Sequence, residues 1–433
     1  MRIWDEEMET LAGLELEALQ LERLRATLRR IRESGAPYSS KMEEAGLSPD
    51  DIRSIRDVSR LPFSRKADFR ASYPLGMLAV PRRDVVRVHA SSGTTGSRTV
   101  VAYTATDLET WSELVARFAT AAGVVADDVA QISFTYGLFT GGFGLHYGLE
   151  KVGAMVIPAS GGNTELQLGL MTDLGTTVLV ATPTYALHLA EEGSALGFDF
   201  EACGLRVGLF GAEPWSEGIR RRIEEGLCIS ATDNYGLSEV VGPGVSGECE
   251  MKNGLHVSED HFLAEVVDPV TGEPLPDGRQ GELVLTTLTR EAMPVVRFRT
   301  GDLTSLDREP CGCGRRSARM SKVLGRSDDM LIIRGVNVYP TQVEKALLEV
   351  EGIEPHYLIV VDRKAELDRL EVLVEVSEGV FSDDTRAMRQ FAGRVEYHLK
   401  KVLNVRARVS LKEPHSLERS QGKAKRIIDK REL

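Results

Sequence analysis

No stretch of this 433-residue sequence approaches the roughly 20 consecutive apolar residues that a membrane-spanning helix needs, so no membrane partner is expected. The first residues, Met1-Arg2-Ile3-Trp4-Asp5-Glu6-Glu7, are acidic and lack the basic-then-apolar order of a secretory signal. Basic charge is in deficit: 53 Lys and Arg against 65 Asp and Glu leave a net charge of −12, which argues against nucleic acid as a partner. Cysteine is scarce and its count of five is odd, so no disulfide framework is expected and a reducing, cytoplasmic setting fits. Hydrophobic residues, at 42%, are numerous enough for a large core, and the length calls for two or three domains.

One Gly/Ser/Thr tract stands out, Ser91-Ser92-Gly93-Thr94-Thr95-Gly96-Ser97-Arg98-Thr99. It lacks the Gly-Lys-Ser/Thr ending of a Walker loop, and Val100, Val101 and Tyr103 follow it where a Walker loop would open a helix. A kinase or GTPase loop is thereby a poor reading. Val85, Val86 and Val88 on the other side also favour a strand, so the tract is a loop between two strands. Gly93 and Gly96 allow a tight turn, while the hydroxyls of Ser91, Ser92, Thr94 and Thr95 join backbone N–H groups in what a polyphosphate cradle requires.

Four later segments fit one nucleotide site. They are Asn234-Tyr235-Gly236-Leu237-Ser238-Glu239, Arg299-Thr300-Gly301-Asp302 at a turn after a strand at 295–298, Gly325-Arg326-Ser327-Asp328-Asp329, and Gln421-Gly422-Lys423-Ala424-Lys425-Arg426. Each alone is an ordinary turn or loop. Together and in this order they resemble the adenylate-forming superfamily of acyl-CoA synthetases, and most closely its phenylacetate–CoA ligase branch, from about Leu61 to the end of the chain. The resemblance implies an ATP-dependent, AMP-forming ligase that adenylates an aromatic acid and passes it to coenzyme A. It implies that the loop, with Thr94 among its catalytic members, wraps the β- and γ-phosphates, that Tyr235 lines the adenine pocket, and that Glu239 helps hold Mg²⁺. It further implies that Asp302 accepts both ribose hydroxyls, that Arg326 lies near ribose and phosphate, and that Lys423 meets the carboxylate and α-phosphate. Lys66 resembles a lysine that precedes the phosphate loop in this branch. Two other readings share these motifs: an enzyme loading a carrier protein's phosphopantetheine, and a catalytically silent nucleotide-binding homologue. The intact Lys423 and Glu239 speak against the second.

Two further sites follow from the residues themselves. Gly211-Ala212-Glu213 ends the strand-like Leu205–Phe210, where parallel sheets place ligands, and is expected to wall the nucleotide and acyl pockets. Tyr136, Phe139 and Phe143, interleaved with glycines, offer faces and edges to a flat acyl group. The two domains and two half-reactions that the resemblance implies suggest in addition a rotation about Asp328 that brings up Gly335, in Arg334-Gly335-Val336-Asn337-Val338, beside a channel for the coenzyme A thiol.

The fold class expected is α/β with α+β elements. From 85 to about 210 short strands alternate with helices, the mark of a layered and largely parallel domain. After Gly325 a β-α-β-β-α-β order over about 100 residues is that of a small ferredoxin-like unit, opened by a strand at 331–333. The resemblance implies the same division: an N-terminal adenylation domain, 1–327, with an N-terminal helical segment at 1–60, and a small mobile C-terminal domain, 328–433, with the hinge near Asp328. Leucines at helical spacing over 8–33 should pack on the body of the protein, a homodimer contact being the alternative.

Cys203 and Cys228 have apolar neighbours and read as core thiols. Cys311 and Cys313 stand in the turn Pro310-Cys311-Gly312-Cys313-Gly314, a spacing too tight for a comfortable disulfide but suited to two thiolates on one metal. Cys249 and His256 flank an Asn253-Gly254 turn that would fold them together, completing a Cys₃His set for a structural Zn²⁺. Some ligases resembling this branch carry such a site.

Overall fold

The segments Val178–Ala181 and Val207–Gly211 have no polar face, and both strands are buried at every position. Strands of this kind occur inside parallel sheets. They sit within a sheet that, among the described residues, has nine strands in the order Leu306–Asp307, Arg319–Met320, Leu255–Val257, Gly242–Glu248, Ser230–Leu237, Val207–Gly211, Val178–Ala181, Val129–Ile132 and Met155–Ile157. Pairing is parallel from Ser230–Leu237 to Met155–Ile157 and antiparallel on the other side. This computed structural model describes residues 1–91, 98–327, 329–334, 336–364, 367–382, 384–418 and 426–431. By internal packing the chain forms two units: Met1–Ala181, Phe198–Ala212 and Cys228–Lys322 in one, Thr182–Gly197, Glu213–Leu227 and Val323–Leu433 in the other. Among the described residues no helix is long and apolar enough to cross a membrane.

In the first unit the helix Ala105–Ala121 starts at Thr104, whose side chain accepts from the Asp107 N–H while Asp107 accepts from the Thr104 N–H, a reciprocal cap. The helix Thr140–Val152 lies against it through glycines one turn apart. A Cβ at Gly148 would sit 2.2 Å from the Val115 side chain, and one at Gly144 would sit 2.2 Å from the Trp111 ring. The helix Gly13–Ser34 lays Leu24, Leu28 and Ile31 into a cluster with Tyr38, Ile52, Leu61, Leu263, Leu288 and Val296, so most of its leucine stripe packs on the body as expected.

Antiparallel strands Phe262–Val267, Gly281–Thr287 and Phe298–Thr304 form a second layer. The segment at 295–298 is not the strand expected there. The strand begins at Phe298 and runs through Thr304, so Arg299–Asp302 lies inside it rather than in a turn after it. A register shift opposite Glu282 and Val284, with Gly301 at φ +79°, absorbs the extra residues as a bulge.

The second unit holds a four-stranded sheet in the order Ala407–Lys412, Leu367–Val376, Ile353–Lys364, Ile427–Asp429. The helix Thr385–Leu403 faces the core with Phe391, Val395, Leu399 and Leu403, each four residues on from the last. One strand departs from the β-α-β-β-α-β reading. Leu331–Ile333 pairs with Val336–Val338 as a hairpin turned at Arg334, φ +52°, and the sheet position is filled by Ile427–Asp429. With three residues and an immediate reversal, Leu331–Ile333 finds its ladder locally. The helices Pro183–Ala195 and Glu217–Leu227 belong to this unit.

Candidate functional site

The site is built where the last parallel strand of the first unit ends. Gly211 faces Asn234 across the ladder, and a Cβ on Gly211 would fall 2.4 Å from the Asn234 carbonyl oxygen. The Asn234 amide donates to the Phe210 carbonyl at 2.6 Å, and Ala212 turns the chain out of the sheet at φ +70°. One residue on, the Tyr235 hydroxyl donates to Asp302 Oδ2 at 2.6 Å, so the structure brings together the two residues expected at adenine and ribose. Asp302 is held in its bulge by neighbours: its N–H donates to Thr300 Oγ1 at 3.0 Å, and the Gly301 N–H to Glu282 Oε1 at 3.1 Å. Asp302 is 8% exposed, sheltered yet reachable.

Glu239 follows the same strand and is buried. Its Oε1 lies 3.1 Å from the Lys66 ammonium, within ion-pair range but not aligned as a hydrogen bond. The backbone around it is clamped by Arg290, which donates to the Glu239 carbonyl at 2.8 Å and to the Val240 carbonyl, and whose guanidinium lies 5.0 Å over the Tyr103 ring. Thr140 and Ser238 share a hydroxyl hydrogen bond of 2.9 Å, tying the start of the helix Thr140–Val152 to this turn. Arg290 carried no sequence signal, since an arginine in a Thr-Arg-Glu run reads as surface. A buried carboxylate beside a half-exposed lysine suits a divalent cation shared with phosphate oxygens.

The strands Arg87–Ala90 and Val100–Tyr103 pair antiparallel, as the flanks of the Gly/Ser/Thr tract predicted. Ser91 closes the loop's neck, its N–H donating to the Thr99 carbonyl at 2.9 Å. Ser92, Gly93, Thr94, Thr95 and Gly96 lie outside the described residues, as do Asp328, Gly335 and Lys423.

Of the three aromatic candidates, two meet. The Tyr136 and Phe143 rings pack edge to face at 5.3 Å, and Phe143 stacks on Tyr147 at 6.3 Å. Phe139 instead lies 6.4 Å from Phe134 and is 40% exposed. The Arg87 guanidinium sits 5.4 Å from the Phe143 ring and 4.7 Å from the Tyr147 ring, and the Tyr136 hydroxyl lies 3.1 Å from His146 Nδ1. Burial pushes the Tyr136 phenol well above its ordinary value, so it stays protonated. His146 and Tyr147 were missed, although they stand three and four residues beyond Phe143 on one helix face.

In the second unit Glu213 Oε1 accepts the Thr184 N–H at 2.7 Å, in the first turn of the helix Pro183–Ala195. Arg326 lies on the two-residue strand Gly325–Arg326 and is partly buried.

The four expected metal ligands converge in the first unit. Antiparallel pairing sets Gly247 opposite His256, and the turn ends with Gly254 at φ +88°, returning the chain toward Cys249. Ligand atoms of Cys249, His256, Cys311 and Cys313 lie within 4.8 Å of one another, and all four residues are buried. The Cys249 and Cys311 sulfurs are 3.9 Å apart and Cys313 Sγ is 3.4 Å from His256 Nε2. A tetrahedron with ordinary zinc–ligand bonds requires about 3.8 Å and about 3.6 Å for those two edges, so the residues fit that ion. Ser317 Oγ, 3.2 Å from His256 Nδ1, leaves Nε2 facing the sulfurs. Burial alone would raise the Cys313 thiol, but the His256 ring and Arg315 outweigh it and bring it to about 5. The core reading of the other two cysteines does not hold: Cys228 is exposed and Cys203 only half-buried. Cys228 follows the helix Glu217–Leu227 at φ +55°, which turns its side chain outward between the buried Leu227 and Ile229.

Residues 28–288 match the family model described as AMP-binding enzyme, and 335–431 match that of the AMP-binding enzyme C-terminal domain. The phenylacetate–coenzyme A ligase of Thermus thermophilus is 48% identical over 443 residues, covering 99% of this chain and 100% of the relative. That of Escherichia coli is 46% identical over 428 residues, covering 98% and 97%. Among solved structures, 2-hydroxyisobutyryl-CoA ligase in the postadenylation state with R3-HIB-AMP superposes with a TM-score of 0.93 at 29% identity, covering 99% of this chain and 92% of that one.

Proposed function

The chain belongs to the AMP-binding enzyme family, and from that premise we propose that it is an ATP-dependent, AMP-forming ligase joining an aryl(acetic) acid to coenzyme A. The observation that carries this is the likeness to phenylacetate–coenzyme A ligases along nearly the whole of both chains. The bond between Tyr235 and Asp302, beside the carboxyl end of a parallel strand, supports it.

In the first half-reaction a carboxylate oxygen attacks the α-phosphorus of ATP. The new P–O bond forms as the bond to pyrophosphate breaks. Two anions must meet, so the site has to neutralise charge and hold the reactants in line. Tyr235 presents its ring to adenine, while its hydroxyl aims the Asp302 carboxylate at both ribose hydroxyls. Ser91, Ser92, Gly93, Thr94, Thr95 and Gly96 cradle the β- and γ-phosphates, and Arg326 lies near ribose and phosphate. Lys423 delivers its charge to the carboxylate and α-phosphate. Glu239, with Lys66 beside it, is the carboxylate for Mg²⁺, which when bound offsets phosphate charge. The aromatic corner of Tyr136 and Phe143 takes the acid's ring. In the second half-reaction the coenzyme A sulfur bonds to the acyl carbon, AMP leaves with the C–O electron pair, and the thiol proton goes to solvent. Rotation of 328–433 about Asp328, withdrawing Lys423 and bringing up Gly335, serves this step.

Cys249, His256, Cys311 and Cys313 would hold a Zn²⁺, and with four protein ligands its role would be structural rather than the activation of a water. Elemental analysis of protein prepared without chelator should show about one zinc per chain, lost in a Cys311→Ser/Cys313→Ser variant that also melts lower. Metal-free protein with an unchanged melting temperature refutes the site.

The test of the activity is ATP–pyrophosphate exchange with a panel of aromatic acids, followed by product analysis with coenzyme A as sole acceptor. Acid-dependent exchange and free acyl-CoA are expected. Exchange without acyl-CoA would favour a carrier-protein acceptor, and no exchange with any acid would overturn the proposal.

A further inference from the structure

The turn that carries two of the four metal ligands also anchors the first residues of the chain. Arg315, two residues past Cys313, is 1% exposed. Its Nε pairs with the buried Glu9 carboxylate and its Nη2 donates to the Arg2 carbonyl at 2.9 Å. Its Nη1 is fully buried and has no hydrogen-bond partner among the described residues. The next residue continues the pattern, the Arg316 N–H donating to the Glu9 carbonyl at 3.1 Å. The other Glu9 oxygen accepts the N–H groups of Trp4 and Asp5, both at 2.9 Å. Ile3 completes the seat, since a Cβ on Gly314 would lie 3.6 Å from its side chain. Residues 2–9 thus form a strap whose main chain is organised by one carboxylate, and that carboxylate is held by one arginine in the Cys311–Arg315 turn.

Charge explains the arrangement. Three thiolates and a neutral imidazole around a divalent zinc sum to −1. A buried centre of that charge needs a cation nearby. Arg315 is that cation, its one charge shared between the centre and the Glu9 carboxylate. Among the described residues the turn 311–315 has no internal ladder beyond hydrogen bonds from the Cys311 N–H to the Arg315 carbonyl and from the Gly314 N–H to the Cys311 carbonyl. Besides its bonds to the strap, the ligand set is what ties it to Cys249 and His256. Beside it lies a cavity of about 30 Å³, lined by Met8, Glu9, His256, Arg315 and Ser317 among others and large enough for one water.

We propose that the Glu9–Arg315 pair couples the Cys₃His centre to the N-terminal strap, so that occupancy by zinc fixes residues 2–9 and the docked strap in turn retains the metal. The coupling rests on the zinc reading above. Without the ion the ligands no longer pin the turn that carries Arg315, and the frame that orders Trp4, Asp5 and Arg316 relaxes with it. The strap keeps a second hold on the helix Ala105–Ala121, where Trp4 Nε1 donates to Glu113 at 2.6 Å and Asp5 pairs with Arg117 at 2.9 Å. Partial release at the centre, rather than loss of the whole segment, is therefore the expected response.

The experiment is hydrogen exchange on the full chain, zinc-loaded and chelator-treated, read at the amides of Trp4, Asp5 and Arg316. Loss of one hydrogen bond each, to the Glu9 carboxylate for Trp4 and Asp5 and to the Glu9 main-chain carbonyl for Arg316, should speed their exchange about tenfold or more after chelation. Amides of the central strands Val178–Ala181 and Val207–Gly211 should hold. In zinc-loaded Glu9→Gln the metal should still be present, but should pass to a competing chelator about tenfold faster, the usual scale for a partner behind a ligand. Zinc removed with those three amides unchanged, or Glu9→Gln releasing zinc at the wild-type rate, overturns the coupling and leaves the zinc site standing. Protein that neither carries zinc nor takes it up overturns both.

Discussion

Tyr235→Phe removes one hydroxyl and leaves the ring that the proposed adenine pocket requires. That hydroxyl donates to Asp302 Oδ2 at 2.6 Å, and Asp302 is 8% exposed, so water only partly replaces the lost donor. A hydrogen bond to a charged group contributes about 1.5–3 kcal/mol, which corresponds to roughly tenfold up to about a hundredfold in an equilibrium. The lower end applies, because Thr300 and Glu282 still hold the bulge that carries Asp302. With the donor gone, the carboxylate must be ordered each time ATP binds, and that cost falls on ground state and transition state alike. The KM for ATP should therefore rise about tenfold with kcat little changed. Pyrophosphate exchange measured across ATP concentrations separates the two constants. An unchanged KM, or a loss confined to kcat, would refute the view that Tyr235 serves the nucleotide by aiming Asp302. Asp302→Asn offers a second comparison, since an amide accepts at one atom only and should weaken ATP further.

Lys423→Ala should abolish adenylation, by about 100- to 1000-fold, while thioester formation from supplied acyl-AMP persists; equal losses in both half-reactions would make the residue structural. Gly335→Leu should do the reverse, slowing thioester formation with pyrophosphate exchange preserved, and a variant impaired only in exchange would sink the two-orientation scheme. Asp260 governs an acid response: burial would raise its carboxyl, but the His261 ring and the Arg117 guanidinium hold it well below the usual carboxylate range. Its stabilisation is thus complete above the unfolded-state value near 4 and fades as pH falls through the lower folded-state value. Urea unfolding of wild type and Asp260→Asn should differ by about 3 kcal/mol at neutral pH, and the gap should begin to narrow only below about pH 4 and keep shrinking as the pH falls further, whereas a constant gap would deny the ionic role.

Local signals carried much of the fold. The strand–loop–strand at 85–103, the buried parallel strands and the helical stripes were legible because side-chain period and turn residues are properties of short segments. The clustering of Cys249, His256, Cys311 and Cys313 was legible for the same reason, as two close pairs each folded by its own turn. What failed depended on partners elsewhere in the chain. Gly301 looked like a turn, but with Gly281–Thr287 alongside, its positive φ makes a bulge within a strand. Leu331–Ile333 had the pattern of a sheet strand, and pattern does not say which ladder a strand joins. Cys228, between Leu227 and Ile229, was judged by neighbours in sequence when a left-handed backbone had turned it outward.

The arginines show the deepest limit of such a reading, because charge in a sequence is taken for surface. Arg117, Arg220, Arg290, Arg297, Arg315 and Arg319 are each at most 6% exposed. Arg297 donates to the carbonyls of Ser59 and Leu61, Arg319 to those of Asn253 and Glu309, Arg290 to those of Glu239 and Val240, and Arg315 to that of Arg2. A guanidinium has five donors in a fixed plane, so one side chain satisfies two buried carbonyls and still holds a carboxylate. Loops in this protein are therefore cross-linked through their main chains, and position rather than sequence decides which. Arg290 fixes the turn bearing Glu239 as Arg315 fixes the strap beside the sulfurs. Lysine, a point charge with three mobile donors, would keep the sign of the charge at either place and lose the geometry. For that reason Arg290→Lys and Arg315→Lys are not conservative changes in this chain.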